Sequence, residues 1–144
     1  MPRHSVTAMV WLLGRRLNDD LLRRLNEAGF TDLRPTHSVV FRHLFPGGSR
    51  VTDIAERAQT TRQAVWQLVA YLERRGYLRR SPDPTDRRAR VVTLTKKGRK
   101  AVAAADRIIT QMEMSWSKRI GARRFQQFRT GLESLVGATS GPGT

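Results

Sequence analysis

The sequence predicts a mainly α-helical, α+β fold for this chain of 144 residues. Amphipathic stretches with apolar residues three or four positions apart occupy most of the chain, and that spacing marks one face of a helix. Two short β-like runs, GYLRR and VVTLT, flank the stretch SPDPTDRRAR at 81–90. Because Pro82 and Pro84 lack a backbone donor and have a fixed φ, that stretch is expected to be a loop between strands. The fold should therefore combine several helices with one β-hairpin.

The N-terminal part of the chain is expected to form three helices. The first helix covers 6–26, and its apolar stripe consists of Val10, Leu13, Leu17, Leu21 and Leu25. The second helix covers 34–45, with Pro35 in its first turn, where a proline is tolerated. The third helix is short, 51–58, and Thr52 is its expected N-cap.

A fourth helix is predicted over 62–75, and Gly76 supplies its C-terminal stop. Either a capping box formed by Thr60 and Gln63, or Thr61 alone, can begin this helix. Its apolar stripe consists of Val65, Leu68, Val69 and Leu72.

The C-terminal half begins with the two strands, which are predicted at 77–80 and 90–94. Thr95 is the expected cap of a long helix that Gly121 interrupts, and a final helix follows. The composition of 139–144 predicts a disordered tail.

The charge of the chain is strongly positive and unevenly distributed. Lys and Arg number 27 against 12 Asp and Glu, which gives a net charge of +15. Eleven basic and two acidic residues lie between Arg74 and Lys100, so these 27 residues carry +9 of that charge. A local patch of this kind favours a polyanionic partner over a generic solvated surface. The charge alone allows either nucleic acid or an anionic membrane surface as that partner. No apolar run reaches the roughly 20 residues of a membrane helix, so no membrane-spanning segment is expected.

The sequence lacks the residue sets of an enzyme. It contains no cysteine, which excludes disulfides and thiolate chemistry and suits a cytoplasmic protein. The run SWSK matches a pattern of acylating serine enzymes, but its companion motifs are missing, so we treat it as chance. The three histidines do not fall at a metal-binding spacing. We therefore expect no catalytic activity, no metal and no cofactor.

Two short helices joined by a tight turn and followed by a β-hairpin predict a winged helix-turn-helix. In this arrangement the second helix enters the DNA major groove, where Arg pairs with guanine and Gln with adenine. Two interpretations remain for Trp66: contact with DNA, such as a thymine methyl, or packing on the wing or near Tyr71. The residues of this helix expected to contact DNA are Thr61, Arg62, Gln63, Trp66 and Gln67.

The proline-rich loop between the strands is then the wing. Its prolines stiffen it, and Asp83 or Asp86 can hold an arginine in place by a charge-assisted pair. Arg87, Arg88 and Arg90 are expected to meet phosphates, or to enter a narrow minor groove, where the negative potential is enhanced.

The segment 53–102 resembles the winged-helix core of the MarR (multiple antibiotic resistance regulator) family. The most specific run is DPTDRRARVVTLTKKG. The resemblance implies a homodimeric DNA-binding transcriptional regulator, usually a repressor that a small phenolic or aromatic acid effector releases from DNA. It also assigns the wing roles of the family to Asp86, Arg87 and Arg88. Trp66 stands where relatives usually have a small residue, so the family's base preference does not carry over.

A dimer also follows from the residues themselves. The winged helix, 34–98, is too small to cover the apolar stripes around it, so 1–33 and 99–138 are expected to be dimerisation helices. A twofold axis would set two recognition helices about 34–36 Å apart for a pseudo-palindromic site. A closed monomeric bundle is the alternative. The apolar residues in need of a partner are Trp11, Leu17, Leu21, Ile109, Trp116, Phe125, Phe128, Leu132 and Leu135.

In the family, the effector binds where the first two helices meet the DNA-binding lobe. At that place Trp11, Arg15, His37 and Phe41 can supply an aromatic wall and cations for a carboxylate or phenolate. The alternative is that His37 is satisfied locally and Arg15 is solvated. For the function as a whole, the alternative is a sequence-nonspecific nucleic-acid-binding or architectural protein.

Overall fold

The computed structural model describes residues 5–139 and confirms a mainly helical fold with one antiparallel β-hairpin. The elements are α1 (Val6–Glu27), a 3₁₀ turn (Pro35–His37), α2 (Ser38–Arg42), α3 (Val51–Arg57), α4 (Arg62–Arg74), β1 (Leu78–Pro82), β2 (Arg90–Leu94), α5 (Lys96–Ile120) and α6 (Ala122–Thr139). The chain separates into two compact units between Asp106 and Arg107. The first unit holds α1 to β2 and the start of α5, and the second holds the rest of α5 and α6.

The expected division into three functional segments stays a prediction, as does the dimerisation role of 1–33 and 99–138. The predicted tail, 139–144, lies outside the described residues except for Thr139, which ends α6. The interruption expected at Gly121 is confirmed, because α5 ends at the residue before it.

Side-chain caps set the starts of α1 and α4. The hydroxyl oxygen of Ser5 accepts a hydrogen bond from the backbone N of Ala8 at 3.1 Å. The hydroxyl oxygen of Thr61 accepts one from the backbone N of Ala64, also at 3.1 Å. Thr61 alone therefore caps α4, which decides between the two predicted starts. At the other end Gly76 takes a φ of +77°, the left-handed conformation that stops a helix.

The helix predicted over 34–45 was wrong in type and in length. The segment begins as a single 3₁₀ turn and continues as α2, which ends at Arg42. The ring Nδ1 of His37 accepts a hydrogen bond from the backbone N of Arg34 at 3.0 Å. This bond holds the tight first turn, in a geometry that rarely extends beyond a few residues.

The prediction that Thr52 caps α3 was also wrong. The helix begins at Val51, and Arg50 occupies the N-cap position without a side-chain cap. The chain enters α3 directly from a β-bridge between Ser49 and Val92, and Val51 is already buried in the core. The helix therefore starts as soon as the bridge ends, and its N-cap lies two residues before the expected Thr52.

The hairpin positions the wing on the rest of the first unit. Strand β1 begins one residue later than the predicted 77–80 and ends two residues later, at Pro82, which pairs with Arg90. A proline fits there because the last pair of a short ladder can lose a donor at little cost. On the other side of β2, Val92 and Ser49 exchange two backbone hydrogen bonds of 2.9 and 3.1 Å.

One apolar core fixes α3, α4 and the hairpin against each other. Three residues of the predicted α4 stripe are buried, and the fourth, Leu68, packs at the edge. Burial of a side chain of this size contributes roughly 1.5–3 kcal/mol. The largest fully buried side chains are Val40, Ile54, Val65, Val69, Leu72, Tyr77, Leu78 and Val92.

Tyr77 lies where α4, β1 and α5 meet. Its hydroxyl donates to the carboxylate of Asp32, and its carbonyl oxygen accepts from the backbone N and the hydroxyl of Thr95 at 3.0 and 3.1 Å. Burial, and after it the Asp32 carboxylate, raises the pKa of Tyr77, so the hydroxyl keeps its proton and remains a donor. Thr95 also accepts from the backbone N of Gly98 at 3.0 Å, which confirms it as the cap of α5.

We predict that Gly98→Ala strongly destabilises the first unit. A Cβ atom at position 98 would overlap the carbonyl oxygen of Tyr77, which is backbone and cannot move aside cheaply. Overpacking of this kind costs about 1–3 kcal/mol or more, measured as the free energy of urea unfolding. Gly47→Ala is the matched control, because no described atom lies within 4 Å of the Cβ it would add. Equal stability of the two variants would contradict the close contact.

Candidate nucleic-acid interface

The predicted DNA-contacting residues of α4 share one exposed face of the helix. Thr61, Arg62, Gln63, Trp66 and Gln67 are all exposed, whereas the opposite stripe is buried in the core. The hydroxyl oxygen of Thr61 caps the helix with one lone pair and retains its O–H and a second lone pair for another group. The structure therefore presents one Arg and two Gln side chains, the residue types that pair bidentately with guanine and adenine.

Trp66 packs on the wing and is also exposed, so its two interpretations are not exclusive. The guanidinium carbon of Arg80, on β1, lies 3.9 Å from the centroid of the indole ring. The same guanidinium pairs with the carboxylate of Glu73 through an Nη2–Oε2 distance of 3.2 Å. The indole nevertheless remains 45% exposed.

Arg80 was missed by the sequence analysis, although strand alternation contains the signal. Side chains two positions apart lie on the same face of a strand, so Arg80 shares its face with the buried Leu78. That face is turned toward α4. A charged residue in such a position has to find a partner on the helix, and Glu73 with Trp66 provides it.

The base of the wing is anchored by an ion pair between Asp83 and Arg50. Nε and Nη2 of Arg50 lie 2.7 and 2.6 Å from the Oδ2 of Asp83. The other carboxylate oxygen of Asp83 accepts from the backbone N and the hydroxyl of Thr85, both at 2.8 Å. These bonds, those to Thr85 first and that to Arg50 next, lower the pKa of Asp83 to about 2.

Asp86 shapes the tip of the wing. Its carboxylate accepts from the backbone N of Arg88 at 3.0 Å, and its carbonyl oxygen accepts from the backbone N of Ala89 at 3.0 Å. Its other carboxylate oxygen lies 3.8 Å from Nη2 of Arg50. Both wing aspartates therefore contact the same arginine, which is the N-cap residue of α3 and does not belong to the wing.

The three predicted wing arginines remain available for a partner. Arg87, Arg88 and Arg90 are exposed. Within residues 5–139, no carboxylate pairs with any of their guanidinium groups. The wing thus combines an internally paired base with an unpaired cationic surface.

Of the four residues expected at an effector site, Trp11 and Arg15 contact each other, whereas His37 and Phe41 each contact a tyrosine. The guanidinium carbon of Arg15 is 5.5 Å from the ring centroid of Trp11, one turn away on α1. His37 instead stacks on Tyr71 at 4.7 Å, and Phe41 meets Tyr77 edge-on at 6.4 Å.

The buried His37 is satisfied locally. Its Nδ1 accepts the bond from Arg34 described above. Burial, and then the nearby Arg34 charge, lowers the pKa of His37, so the ring is neutral at pH 7. The structure therefore favours the alternative in which His37 is satisfied by local contacts.

The described part of the chain offers neither a metal-binding cluster nor a membrane-spanning helix. Residues 5–139 contain no group of three or more His, Cys, Asp or Glu side chains that could hold a metal ion. The same residues contain no helix that is both long and apolar enough to span a bilayer.

The exposed polar face of α4, beside a basic hairpin braced on α3, defines a winged helix-turn-helix protein. Comparison with known proteins gives the family. The chain belongs to the MarR family, whose model matches residues 31–89. Transcriptional regulator HosA of Escherichia coli O111:H- is 31% identical over 93 residues, which cover 65% of this chain and 68% of HosA.

Solved structures share the fold over nearly the whole chain. The Staphylococcus aureus MepR–DNA complex matches with a TM-score of 0.72 at 20% identity, over 97% of this chain and 100% of that one. The transcriptional repressor CouR bound to a 23-mer DNA duplex matches with a TM-score of 0.71 at 24% identity, over 92% of both chains. CouR from Rhodococcus jostii has also been solved with p-coumaroyl-CoA. The family and these relatives make this chain a transcriptional regulator of the MarR type and not an enzyme.

We predict that Asp83→Asn lowers the thermal stability at neutral pH. The folded-state pKa of Asp83, about 2, lies below the ordinary aspartate value of 3.8, so its carboxylate stabilises the fold above about pH 4. That contribution disappears as the pH falls from about 4 to about 2, where the Asp83 carboxylate of the wild type becomes protonated and thus neutral, like the Asn side chain of the variant. The gap in Tm between wild type and variant should therefore close over that range.

Asp19→Asn is the control for this experiment, because it removes an exposed carboxylate from α1. It should leave Tm nearly unchanged at all pH values. A constant gap for Asp83→Asn between pH 6 and pH 2 would show that its carboxylate does not act through its charge.

Proposed function

We propose that this protein binds duplex DNA site-specifically as a homodimer and represses transcription until a small aromatic ligand releases it. The observation that carries the proposal is the pairing of an exposed, base-reading helix face with a braced wing whose arginines are unpaired. CouR, a transcriptional repressor solved with a DNA duplex, supports the repressor role by analogy. A regulator that acts on DNA also fits the cytoplasmic location expected from the cysteine-free sequence.

In the proposed complex α4 lies in the major groove. Arg62 at its first position can donate two hydrogen bonds to guanine, and Gln63 and Gln67 can pair with adenine. All three side chains are exposed and sit in the first two turns, the part of a recognition helix that meets base edges. The core behind α4 fixes the direction in which they point.

The wing supplies sequence-independent affinity. Arg87, Arg88 and Arg90 are placed to meet phosphates or a narrow minor groove. The bonds of Asp83 and Asp86 hold the loop in one conformation before binding, so little entropy is lost when the arginines engage.

We predict that α4 determines base preference and that the wing contributes affinity for DNA of any sequence. Arg62→Ala or Gln63→Ala should relax base preference at a few positions, with a loss of about 1–3 kcal/mol at the preferred base pair. Arg88→Ala should weaken binding to all DNA sequences alike and reduce the magnitude of the slope of log K against log [salt] by about 1. Fluorescence anisotropy on specific and random duplexes at several salt concentrations measures both.

The control variant for these measurements is Arg124→Ala, which removes the same charge from α6, outside the helix-turn-helix and the wing. It should leave the base preference unchanged. Equal losses on specific and random DNA from the Arg62, Gln63 and Arg88 variants would favour the alternative, a sequence-nonspecific architectural protein.

The dimer is proposed from exposed apolar surface on two helices. In the first unit α1 exposes a run of apolar residues, including Trp11 at 67%. In the second unit α6 exposes Leu135 by more than half. Monomeric proteins rarely leave contiguous apolar surface of this kind in water, and a second copy of the chain would cover it.

We predict a dimer in solution at micromolar concentration. Light scattering should give twice the 16.4 kDa mass of the chain. Trp11→Glu, which places a charge on the exposed face of α1, should shift the mass toward that of a monomer. A wild-type mass of one chain would contradict the proposal.

Ligand release is proposed from CouR, which was solved with p-coumaroyl-CoA, and from MepR, which was solved with ethidium bromide. Both ligands contain aromatic groups. Of the four residues considered, Trp11 and Arg15 are exposed and in contact with each other, whereas His37 and Phe41 are already engaged by Tyr71 and Tyr77.

We predict that Arg15→Ala raises the concentration of aromatic carboxylate needed to release DNA by about tenfold or more, without changing DNA affinity itself, since one charged hydrogen bond is worth about 1.5–3 kcal/mol. Competition titrations with a panel of aromatic acids on a bound duplex measure this. Ligand-induced release that survives unchanged in both Arg15→Ala and His37→Ala would rule out this site.

A further inference from the structure

Trp66 occupies the middle of the proposed DNA-reading surface. On a helix, residues three and four positions apart lie on one face, so Trp66 lies beside Gln63 and Arg62. Its indole is 45% exposed. A large apolar ring thus projects between side chains that otherwise offer only polar groups.

The orientation of that ring is held by two elements. Arg80, on β1, lies 3.9 Å over one side of the ring, and its Nη2 contacts the carboxylate of Glu73 at 3.2 Å. Trp66 and Glu73 are seven residues apart on the same helix face, and position 70 between them is Ala. The small residue leaves room for a side chain to lie across the helix from the ring to the carboxylate.

Arg80 is therefore committed within the protein. Its charge is balanced by Glu73, and its strand is fixed by pairing with Val92 of β2. Its Nε–H is buried, and no acceptor for it exists among the described residues. An arginine placed in this way fixes the indole beside it and is a poor candidate for a phosphate contact of its own.

A fixed apolar group in a major groove can meet one apolar partner, because the thymine C5-methyl is the only apolar group on the base edges there. We propose that Trp66 reads a thymine methyl and that Arg80 and Glu73 are positioning residues for this contact. The inference rests on the proposed site-specific binding of DNA and names one base that the site must contain. The rigid ring loses little conformational freedom on contact, so the methyl group contributes directly to the preference.

The test begins with duplexes selected by the wild-type protein from a pool with a randomised centre. In the enriched duplex each thymine is then replaced in turn by deoxyuridine, which differs only by the missing methyl group. At one symmetric position in each half-site, the replacement should weaken wild-type binding about fourfold for each methyl buried. Trp66→Ala should bind the thymine and uracil duplexes equally.

Two further variants serve as controls that distinguish a loss of thymine preference from misfolding and from a general loss of binding. Trp66→Phe keeps an aromatic ring and should retain part of the thymine preference. Arg124→Ala, on α6 and outside the helix-turn-helix and the wing, should keep the full ratio of thymine to uracil affinity. The ratio is the readout, since a merely structural defect weakens both duplexes by the same factor.

The positioning role is tested by Arg80→Met and Glu73→Gln. Both substitutions should lower the ratio of thymine to uracil affinity toward one, while the affinity for the uracil duplex changes little. Arg80→Lys keeps a cation over the ring and should preserve part of the preference. An unchanged ratio in Arg80→Met and Glu73→Gln would overturn the positioning role.

The remaining outcomes separate this inference from the proposed function. If selection enriches no sequence, site-specific binding fails and the reading of thymine fails with it. If a sequence is enriched but no thymine shows a methyl effect that Trp66→Ala removes, the inference is overturned while site-specific binding stands.

Discussion

The burial of Tyr77 is the constraint on which the rest of the first unit depends. Its backbone N donates to the carbonyl of Leu72 at 2.9 Å, which closes the end of α4, and its carbonyl receives both bonds from Thr95 at the start of α5. Its hydroxyl reaches the carboxylate of Asp32 in the segment after α1. One residue thus ties together the recognition helix, the hairpin and the helix that follows. The conformation of α4 relative to the wing is set by this junction.

The wing uses its acidic residues internally and presents its basic residues outward. Asp83 and Asp86 both contact Arg50, so two of the chain's 12 acidic side chains hold the loop beside the exposed arginines. Because Arg50 directly precedes α3, these contacts join the wing to the helix-turn-helix. A preorganised surface of this kind can gain affinity from phosphates without first ordering a loop.

Local signals in the sequence were enough to predict most of the elements and the exposed face of α4. Helical periodicity gave α1 and α4 to within a residue or two, and the Thr61 cap was among the stated alternatives. The errors and omissions came from contacts between distant residues. Arg50 pairs with Asp83 across 33 positions, and the β-bridge at Ser49 moved the start of α3 away from Thr52. Such pairings depend on strand register, which sequence periodicity does not determine on its own.

Site-specific binding of DNA is the central claim, and it is tested most directly by the ratio of two affinities. The purified protein would be titrated by fluorescence anisotropy onto the duplex upstream of its own gene and onto a shuffled duplex of the same composition, at about 0.15 M salt. The proposed function predicts a preference of roughly a thousandfold or more for one of them. Equal, steeply salt-dependent binding to both duplexes would contradict the claim and favour an architectural protein.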